Sequence, residues 1–307
     1  MSLYGMFQRK GPSGFGYNST AEDVTAGADL TGRTYLVTGV NSGLGAETLR
    51  VLVMRGARVL AAARTVAKAQ AACDAAGGDA VPVACELSEP SSVRAAVATV
   101  QALGHPLDGV IANAGIMALP KVQRQHGYEM QFFTNHVGHF MLVTGVLPQL
   151  AEEGRVVILS SSAHTMTYPE GVRLDDLAAE RGYAPWKAYG QAKLANMLFA
   201  KHLATRLPKP GQRSTSVHPG VIATGLARHM NKGVQLLFNG LGPVFALKTV
   251  PQGAATQCYA AVHPDAAAHN GEYFANCNPK TPSAHGQDAA LAAALWDKTE
   301  EIVAGLD

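Results

Sequence analysis

The stretch Thr34-Tyr-Leu-Val-Thr-Gly-Val-Asn-Ser-Gly-Leu-Gly45 is an apolar run that breaks into glycines and then resumes as a helical pattern. It predicts a buried strand, a tight turn that binds phosphate, and the start of a helix. Gly39 permits a sharp turn, Gly43 lets the backbone approach a pyrophosphate, and Gly45 lets the helix pack closely on the strand. The helix N-terminus would direct free N–H groups at the anion. Because the spacing is not the commoner G-x-G-x-x-G, the turn alone is equally consistent with a purely structural role.

Strand and helix signals alternate along the chain after this stretch. Apolar runs typical of strands occupy residues 58–63, 80–84, 108–112 and 155–160, and helical patterns start near residue 66 and cover residues 91–103 and about 127–150. This alternation predicts an α/β Rossmann fold, a doubly wound parallel sheet with helices on both faces. No linker or repeat divides the chain, so we expect a surface arm over residues 1–30 and one Rossmann domain over residues 31–307.

Composition and charge argue against several classes of function. A net charge of +2 and a pI near 8.3 give no excess charge that would drive binding to nucleic acid or to an anionic membrane. The longest apolar stretch, residues 234–247, is too short and too interrupted to form a transmembrane segment. We find neither a secretory signal nor a C-x-x-C pair, so the four cysteines predict buried thiols and a cytoplasmic location.

A second motif, Tyr189-Gly-Gln-Ala-Lys193, places a phenol and an ammonium four residues apart. On a helix these positions lie on one face, so both groups can act on the same small volume. A phenol with a pKa of about 10 is a poor acid or base at neutral pH, and a nearby cation favours its ionised form. The pair can therefore carry proton transfer, although an isolated Tyr/Lys pair is also typical of a solvated helix face.

These motifs occur together with others, in order. The set comprises Thr38-Gly-Val-Asn-Ser-Gly-Leu-Gly45, Asn113-Ala-Gly115, Asn135, Ser160-Ser-Ser162, Tyr189-x-x-x-Lys193, and Pro219-Gly220 followed by Thr224. From about Asp29 to the C-terminus the chain resembles the short-chain dehydrogenase/reductase family. Within it, the chain is most similar to the retinol dehydrogenase and WW-domain-containing oxidoreductase branch, on the basis of Thr134-Asn-His-Val-Gly-His-Phe140, His218-Pro-Gly220, Gln252-Gly-Ala-Ala-Thr256 and Gly271-Glu-Tyr-Phe274.

The resemblance implies catalytic roles for four residues. Tyr189 would be the general acid or base, and Lys193 would bind the nicotinamide ribose and shift the Tyr189 pKa. Asn135 would hold a water that relays protons to Lys193. The fourth residue is a serine, and three consecutive serines compete for that role.

The pattern of this branch is two serines, one further residue and Ala-His. Matching Leu159-Ser-Ser-Ser-Ala-His164 to this pattern assigns the catalytic hydroxyl to Ser161. Ser160 would then end the strand, and Ser162 would be the variable position. The alternative is a polar strand end with no catalytic role.

The resemblance also implies a bound nicotinamide dinucleotide. The residues expected to contact it are Gly39, Asn41, Ser42, Gly43, Leu44, Gly45, Arg64, Glu86, Leu87, Asn113, Ala114, Gly115, Tyr189, Lys193, Pro219, Gly220 and Thr224. Glu86-Leu87 departs from the family, which usually has Asp-Leu near the adenine, so the contact there would be altered.

The end of the second strand bears on the choice between NAD(H) and NADP(H). In this family an acidic residue there accepts hydrogen bonds from the ribose hydroxyls of NAD(H), whereas a basic residue suits the 2′-phosphate of NADP(H). Ala63 occupies the acidic position and Arg64 follows it, so NADP(H) is favoured. The alternative is that Arg64 is simply solvated after the strand.

Several further residues have open roles. His136 and His139 are three apart on a helix, a spacing that suits a metal, but no third ligand is evident and we predict structural or cofactor-flanking roles. His164 either contacts substrate or is a hydrogen-bonded loop histidine. Residues 221 to about 250 correspond to the substrate lid of the family. Their apolar side chains suggest a lipophilic substrate, but they could equally pack on another subunit of a homo-oligomer or on a membrane surface.

The sequence therefore predicts an NADP(H)-favouring oxidoreductase that interconverts an alcohol and a carbonyl on a lipophilic small molecule. One alternative is a nucleotide-binding regulator or scaffold without turnover, which the intact Asn, Ser, Tyr and Lys set disfavours. A second alternative is a reductase of C=C bonds on the same fold. No residue of the sequence distinguishes this activity from the predicted one.

Overall fold

A computed structural model describes residues 3–222 and 247–306 of the chain. The strands are β1 (Thr34–Thr38), β2 (Arg58–Ala63), β3 (Ala80–Ala84), β4 (Leu107–Ala112), β5 (Arg124–Gln125), β6 (Tyr128–Glu129), β7 (Leu150–Leu159), β8 (Arg213–His218), β9 (Tyr273–Ala275) and β10 (Asn278–Pro279). Eight of them form one sheet in the order β10-β9-β8-β7-β4-β1-β2-β3. Its strands are parallel except for β10, which runs antiparallel to β9, and β5 and β6 form a separate hairpin.

Helices cover both faces of the sheet. They are α1 (Leu3–Met6), α2 (Ala21–Val24), α3 (Gly43–Met54), α4 (Val66–Ala76), α5 (Pro90–Leu103), α6 (Met130–Phe132), α7 (Gly138–Val146), α8 (Pro185–Leu203), α9 (Val250–Val262), α10 (Ala284–Gln287) and α11 (Ala289–Ala304). A π-helical turn, Phe133–Val137, joins α6 to α7, and a 3-10 turn, Ser162–Met166, follows β7. Helices α5, α7, α8 and α11 pack on one face, and α2, α3, α4 and α9 pack on the other. The predicted doubly wound parallel sheet is thereby confirmed.

The central strands are buried on both faces because their side chains alternate between these two helical layers. In β1, Leu36 packs in the layer of α5, α7 and α8, whereas Tyr35 and Val37 pack in the layer of α3 and α9. All five residues of β1 are buried. This explains why the strand appears in the sequence as a continuous apolar run rather than as an alternating pattern.

The prediction of a helix over about residues 127–150 was wrong for its first residues. Residues 124–129 form the β5–β6 hairpin, and its two turn residues, His126 and Gly127, have φ angles of +50° and +86°. Positive φ at both central residues is the geometry of a tight hairpin turn, which glycine favours and a helix cannot accommodate. The helical region therefore begins only at Met130.

The N-terminal arm is more tightly packed than the predicted surface arm. Thr20 and Asp23 cap α2 by exchanging side-chain and main-chain hydrogen bonds, and Ala21 and Val24 are buried in the layer of α3 and α9. The Asn278 side chain in β10 also accepts from an arm N–H and donates to an arm carbonyl. The arm thus contributes to the core and is hydrogen-bonded to β10 at the edge of the sheet.

The carboxyl ends of the parallel strands lie at one edge of the sheet. The strand order reverses between β1 and β4, so the connections that follow these two strands leave on opposite faces and open a crevice between them. All four cysteines are buried and unpaired, as expected. No helix in the described part of the chain is long and apolar enough to cross a membrane.

Candidate active site

The glycine-rich turn lies at the carboxyl end of β1, in this crevice. Gly39 has a φ of +74°, a conformation that favours glycine. A Cβ at Gly45 would overlap the Gly39 carbonyl and would lie 2.6 Å from Nδ2 of Asn113. The absence of a side chain at Gly45 therefore lets α3 start directly against the ends of β1 and β4.

The N-terminus of α3 has no side-chain cap. Ser42 occupies the N-cap position, but its hydroxyl makes no capping hydrogen bond, and the first turn of α3 contains no acidic residue. Asn41 and Ser42 are exposed, Gly43 has a φ of +58°, and Leu44 is buried. The N–H groups and the dipole of α3 are therefore available to an anion.

Hydrogen bonds join the turn after β4 to the end of β1. The Thr38 hydroxyl oxygen accepts from the N–H of Asn113 at 2.9 Å and from that of Ala114 at 3.0 Å. Asn113 Nδ2 donates to the Thr38 carbonyl at 2.8 Å. These bonds fix Asn113, Ala114 and the following Gly115 beside the glycine-rich turn.

Gly115 brings this turn against two of the predicted catalytic residues. A Cβ at Gly115 would lie 3.1 Å from Asn135 Oδ1 and 3.5 Å from Lys193 Nζ. Asn135 is fully buried, and its side chain accepts from the Ile116 N–H at 2.8 Å and donates to the Ile116 carbonyl at 2.9 Å. It lies in the π-helical turn, a rare form that is frequent at functional sites.

Tyr189 and Lys193 are buried on α8, four residues apart. Lys193 Nζ lies 5.8 Å from the centroid of the Tyr189 ring and donates to the Leu159 carbonyl at 3.0 Å. The Ser161 hydroxyl lies close enough to the Tyr189 phenol to lower its pKa. Gly190 permits this approach, because a Cβ there would lie within 3.0 Å of the main chain of the 3-10 turn after Ser161. The four predicted catalytic residues are therefore brought together.

Burial shifts the pKa of both titratable groups away from their charged forms. It raises the pKa of Tyr189 to about 12, although the nearby Ser161 hydroxyl lowers it, and it lowers the pKa of Lys193 to about 8. The expected shift of the Tyr189 pKa toward the phenolate is not observed, because the effect of burial exceeds that of Ser161 and the Lys193 ammonium donates to the Leu159 carbonyl. Tyr189 is thus protonated at neutral pH, the form that donates a proton to a carbonyl oxygen.

The three consecutive serines have different surroundings. Ser160 is 2% exposed, and its hydroxyl donates to the Lys193 carbonyl at 2.7 Å. Ser162 is exposed, whereas Ser161 is half-buried and is the serine in contact with the Tyr189 phenol. This placement agrees with the assignment of the catalytic hydroxyl to Ser161, which stays a prediction.

The remaining predicted cofactor residues lie at the carboxyl ends of neighbouring strands. Ala63 ends β2 with its side chain buried, and the exposed Arg64 guanidinium has no hydrogen bond or ion pair within the described residues. Oε1 of Glu86, after β3, accepts from the N–H and the hydroxyl of Ser88 at 3.3 and 3.0 Å. Leu87 is buried beside it.

The segment after β8 is only partly described. Pro219 and Gly220 follow β8 at the same edge of the sheet, and Gly220 has a φ of +99°. Thr224 and most of the predicted lid lie outside the described residues.

Three histidines near the site have defined partners that the sequence did not predict. His136 pairs with the Thr299 hydroxyl at 3.0 Å, away from the catalytic residues. His164 Nδ1 lies 2.7 Å from the Ser161 carbonyl and Nε2 accepts from a loop N–H, so it is a hydrogen-bonded loop histidine. His218 Nδ1 accepts from the Ser162 N–H at 3.2 Å, which ties β8 to the serine segment. The only signal for His218 in the sequence was its place in the His218-Pro-Gly220 motif.

Trp186 is a site residue that sequence analysis missed. It lies in the first turn of α8, and its ring packs edge-to-face on the Tyr189 ring with 6.2 Å between centroids. The side chain is 37% exposed. Its position three residues before Tyr189 on a helix was the available signal.

Comparison with known proteins agrees with this geometry. Residues 33–173 match the family model described as short chain dehydrogenase. Over the full length of both proteins, the chain is 42% identical to Short-chain dehydrogenase TIC 32 A, chloroplastic, of Brassica napus. The chain belongs to the short-chain dehydrogenase/reductase family.

One further relative supports the branch within this family, and one solved structure supports the fold. Retinol dehydrogenase 12 of Mus musculus is 35% identical, and the match covers 91% of this chain and 89% of the relative. A crystal structure of an uncharacterized protein from Mycobacterium paratuberculosis has a TM-score of 0.74 at 33% identity and covers 94% of this chain and 98% of its own. The predicted retinol dehydrogenase-like branch and oxidoreductase class are therefore confirmed. The cytoplasmic location stays a prediction, because the Brassica napus relative is named as chloroplastic.

The serine assignment gives a test within one tripeptide. Ser161→Ala should lower kcat/KM by about 10²-fold, the scale of a lost hydrogen-bond donor to a reacting oxygen. Ser162→Ala should change it little, and Ser160→Ala should mainly lower the thermal midpoint, because it removes a buried hydrogen bond between the end of β7 and α8. Steady-state kinetics and thermal melts of the three variants provide the measurement. The assignment is off by one residue if Ser162→Ala is the most damaging to turnover.

Proposed function

We propose that this protein interconverts a carbonyl and an alcohol on a lipophilic small molecule, with NADP(H) as its cofactor. The proposal depends on one observation, the contact of Tyr189 with Ser161, with Lys193 one turn further along α8. A protonated phenol beside a hydroxyl can bind a carbonyl oxygen and give it a proton. When bound, the nicotinamide of the cofactor supplies or accepts a hydride at the substrate carbon.

The residues at the carboxyl edge of the sheet fit a dinucleotide. The uncapped N-terminus of α3 offers its N–H groups to a pyrophosphate, and Gly39 and Gly45 leave the turn free of side chains. Lys193 uses one ammonium hydrogen on the Leu159 carbonyl, which leaves the others for ribose hydroxyls. These residues would therefore hold the pyrophosphate and the nicotinamide ribose.

In the direction of reduction, Tyr189 donates its proton to the carbonyl oxygen that Ser161 positions. In the direction of oxidation, the Tyr189 phenolate takes the proton of the alcohol. The Lys193 ammonium stabilises that phenolate, and a water bound at Asn135 would exchange protons with Lys193.

Two features at the end of β2 support a preference for NADP(H). Ala63 places no carboxylate there that would repel a 2′-phosphate, and Arg64 follows with an exposed guanidinium that no described residue engages. A guanidinium binds phosphate oxygens through charge-assisted hydrogen bonds, whereas the free ribose of NAD(H) offers it no charge.

A lipophilic substrate is supported by exposed apolar side chains beside Tyr189 and after β8. The Trp186 ring, whose side chain is 37% exposed, packs on the Tyr189 ring, and Val221, which follows Gly220 at the carboxyl edge of the sheet, is 47% exposed. The Mus musculus relative is named for retinol, an apolar alcohol. An apolar substrate placed on the indole would bring its polar end toward Ser161 and Tyr189.

The chemical step is tested by Tyr189→Phe. Loss of the phenolic oxygen should lower kcat by at least about 10²-fold, because no other group donates the proton, while the Kd for NADPH stays nearly unchanged. Tyr259→Phe, which removes the same atom in α9 on the opposite face of the sheet, is the matched control and should retain activity. Turnover of a carbonyl substrate is followed at the nicotinamide absorbance band, with the product identified. Near wild-type turnover of Tyr189→Phe would contradict the assignment.

The cofactor preference is tested by titrating NADPH and NADH at one fixed salt concentration. Loss of a charge-assisted hydrogen bond costs about 1.5 to 3 kcal/mol, so Arg64→Ala should weaken NADPH by about one to two orders of magnitude and leave NADH nearly unchanged. Ala63→Asp should reverse the preference, since a carboxylate repels the 2′-phosphate and accepts from the free ribose. Lys209→Ala, which removes an exposed charge before β8 at the other edge of the sheet, is the control. Equal affinities of the unmodified protein for the two cofactors would show that Arg64 is only solvated.

The substrate class is tested by Trp186→Ala and Trp186→Phe. The alanine variant should raise KM for a long-chain aldehyde by about tenfold and change KM for a small polar ketone little, because only the apolar chain loses contact area. The phenylalanine variant should retain most of the affinity. A KM that rises equally for both substrates would exclude an apolar contact at Trp186.

A further inference from the structure

His139 lies one turn after Asn135, and both of its ring nitrogens are engaged. The side chain is fully buried. Nδ1 lies 2.9 Å from the main-chain carbonyl oxygen of Asn135, and Nε2 lies 2.9 Å from the hydroxyl oxygen of Thr38. His139 thus joins the catalytic Asn135 to the last residue of β1, directly before the glycine-rich turn.

The surrounding hydrogen bonds decide which ring nitrogen carries the proton. The Thr38 hydroxyl oxygen already accepts from the N–H groups of Asn113 and Ala114, so its own hydrogen is free to be donated to Nε2 of His139. Nε2 is therefore the acceptor, and Nδ1 carries the proton and donates to the Asn135 carbonyl. Burial supports this neutral ring, because it lowers the pKa of His139 to about 4.

These hydrogen bonds affect the orientation of the Asn135 peptide group. Both polar atoms of the Asn135 side chain are bonded to Ile116, and the carbonyl is bonded to His139. In the π-helical turn the helix geometry differs from that of a regular α-helix, so these side-chain bonds define the direction of the carbonyl. Because Thr38 immediately precedes Gly39, a shift of the glycine-rich turn is transmitted to Asn135 through one imidazole.

We propose that His139 is a positioning residue that fixes the Asn135 carbonyl relative to the glycine-rich turn, so that the proton-relay and dinucleotide parts of the site keep one relative placement. The inference rests on the proposed function for its kinetic readouts, but its structural core, the two hydrogen bonds of His139, can be measured independently of turnover.

Two substitutions at His139 each remove one of its two hydrogen bonds and keep the other. An asparagine amide reaches the position of a histidine Nδ1, and a glutamine amide reaches the position of Nε2. His139→Gln should therefore keep the contact with Thr38 and lose the donor to Asn135, with kcat lowered about tenfold or more and the Kd for NADPH changed less than about threefold. His139→Asn should keep the donor to Asn135 and lose the acceptor for Thr38, with its larger effect on Kd, about three- to tenfold, and only a small loss of kcat.

Amide hydrogen exchange gives a readout that does not depend on activity. In His139→Gln the peptide that contains Asn135 should exchange faster than in the wild type, whereas in His139→Asn the faster exchange should lie in the peptide that contains Thr38. His136→Gln, in the π-helical turn that precedes α7, is the matched control, because the Nε2 contact of His136 with Thr299 faces α11 and not the site. His136→Gln should alter the thermal midpoint, and it should not change one of kcat and Kd much more than the other.

Each outcome decides the proposal. The proposal is supported if His139→Gln mainly lowers kcat and His139→Asn mainly raises Kd. Faster hydrogen exchange should then appear in the Asn135 peptide of the first variant and in the Thr38 peptide of the second. Equal losses in both variants that follow only the thermal midpoint would show that His139 is a packing residue, and unchanged kinetics and exchange would show that the two bonds are dispensable. If the wild type turns over no carbonyl or alcohol substrate, the proposed function fails, and the exchange data still decide the role of His139.

Discussion

Strands β1 and β4 end side by side, and the turns that follow them must pass each other with no side chain between them. Gly39 meets this constraint, since a Cβ there would lie only 2.9 Å from the Cα of Ala114. The Thr38 hydroxyl satisfies the N–H groups of Asn113 and Ala114 in the same place. A buried N–H without a partner costs about 1 to 3 kcal/mol, so the crevice depends on both the missing side chain and the hydroxyl. The positions of Asn135 and Lys193 follow from it, because both pack against the turn that Thr38 fixes.

Local sequence patterns were sufficient where a short apolar strand is bounded by clear breaks. β2 and β3 begin and end at the predicted residues. β7 begins at Leu150 rather than at Arg155, because its first part contains exposed Glu152 and Glu153 and is recognisable only from the pairing of Leu150 with Leu107 of β4. Such a pairing joins distant parts of the chain, and hydrophobic periodicity within one segment carries no information about it.

The same distinction applies to the site. Tyr189 and Lys193 could be predicted because helical spacing alone places them on one face, and Ser161 could be assigned by matching a short motif. The link of His139 to Thr38 spans 101 residues and that of His164 to Ser283 spans 119, so neither follows from spacing. The direction of the Tyr189 pKa was also beyond the sequence, since it depends on burial that only the packed structure defines.

The two histidines near Asn135, His136 and His139, are both buried and uncharged. Burial lowers the pKa of His136 to about 3 and that of His139 to about 4, and the nearby Lys193 charge further disfavours a protonated His139. A second cation here would in turn oppose the Lys193 ammonium, which burial has already weakened to a pKa of about 8. When the Tyr189 proton leaves, this ammonium is the nearby cation that stabilises the phenolate. A protonated His139 would therefore oppose the charge that stabilises the Tyr189 phenolate, and burial keeps His139 neutral.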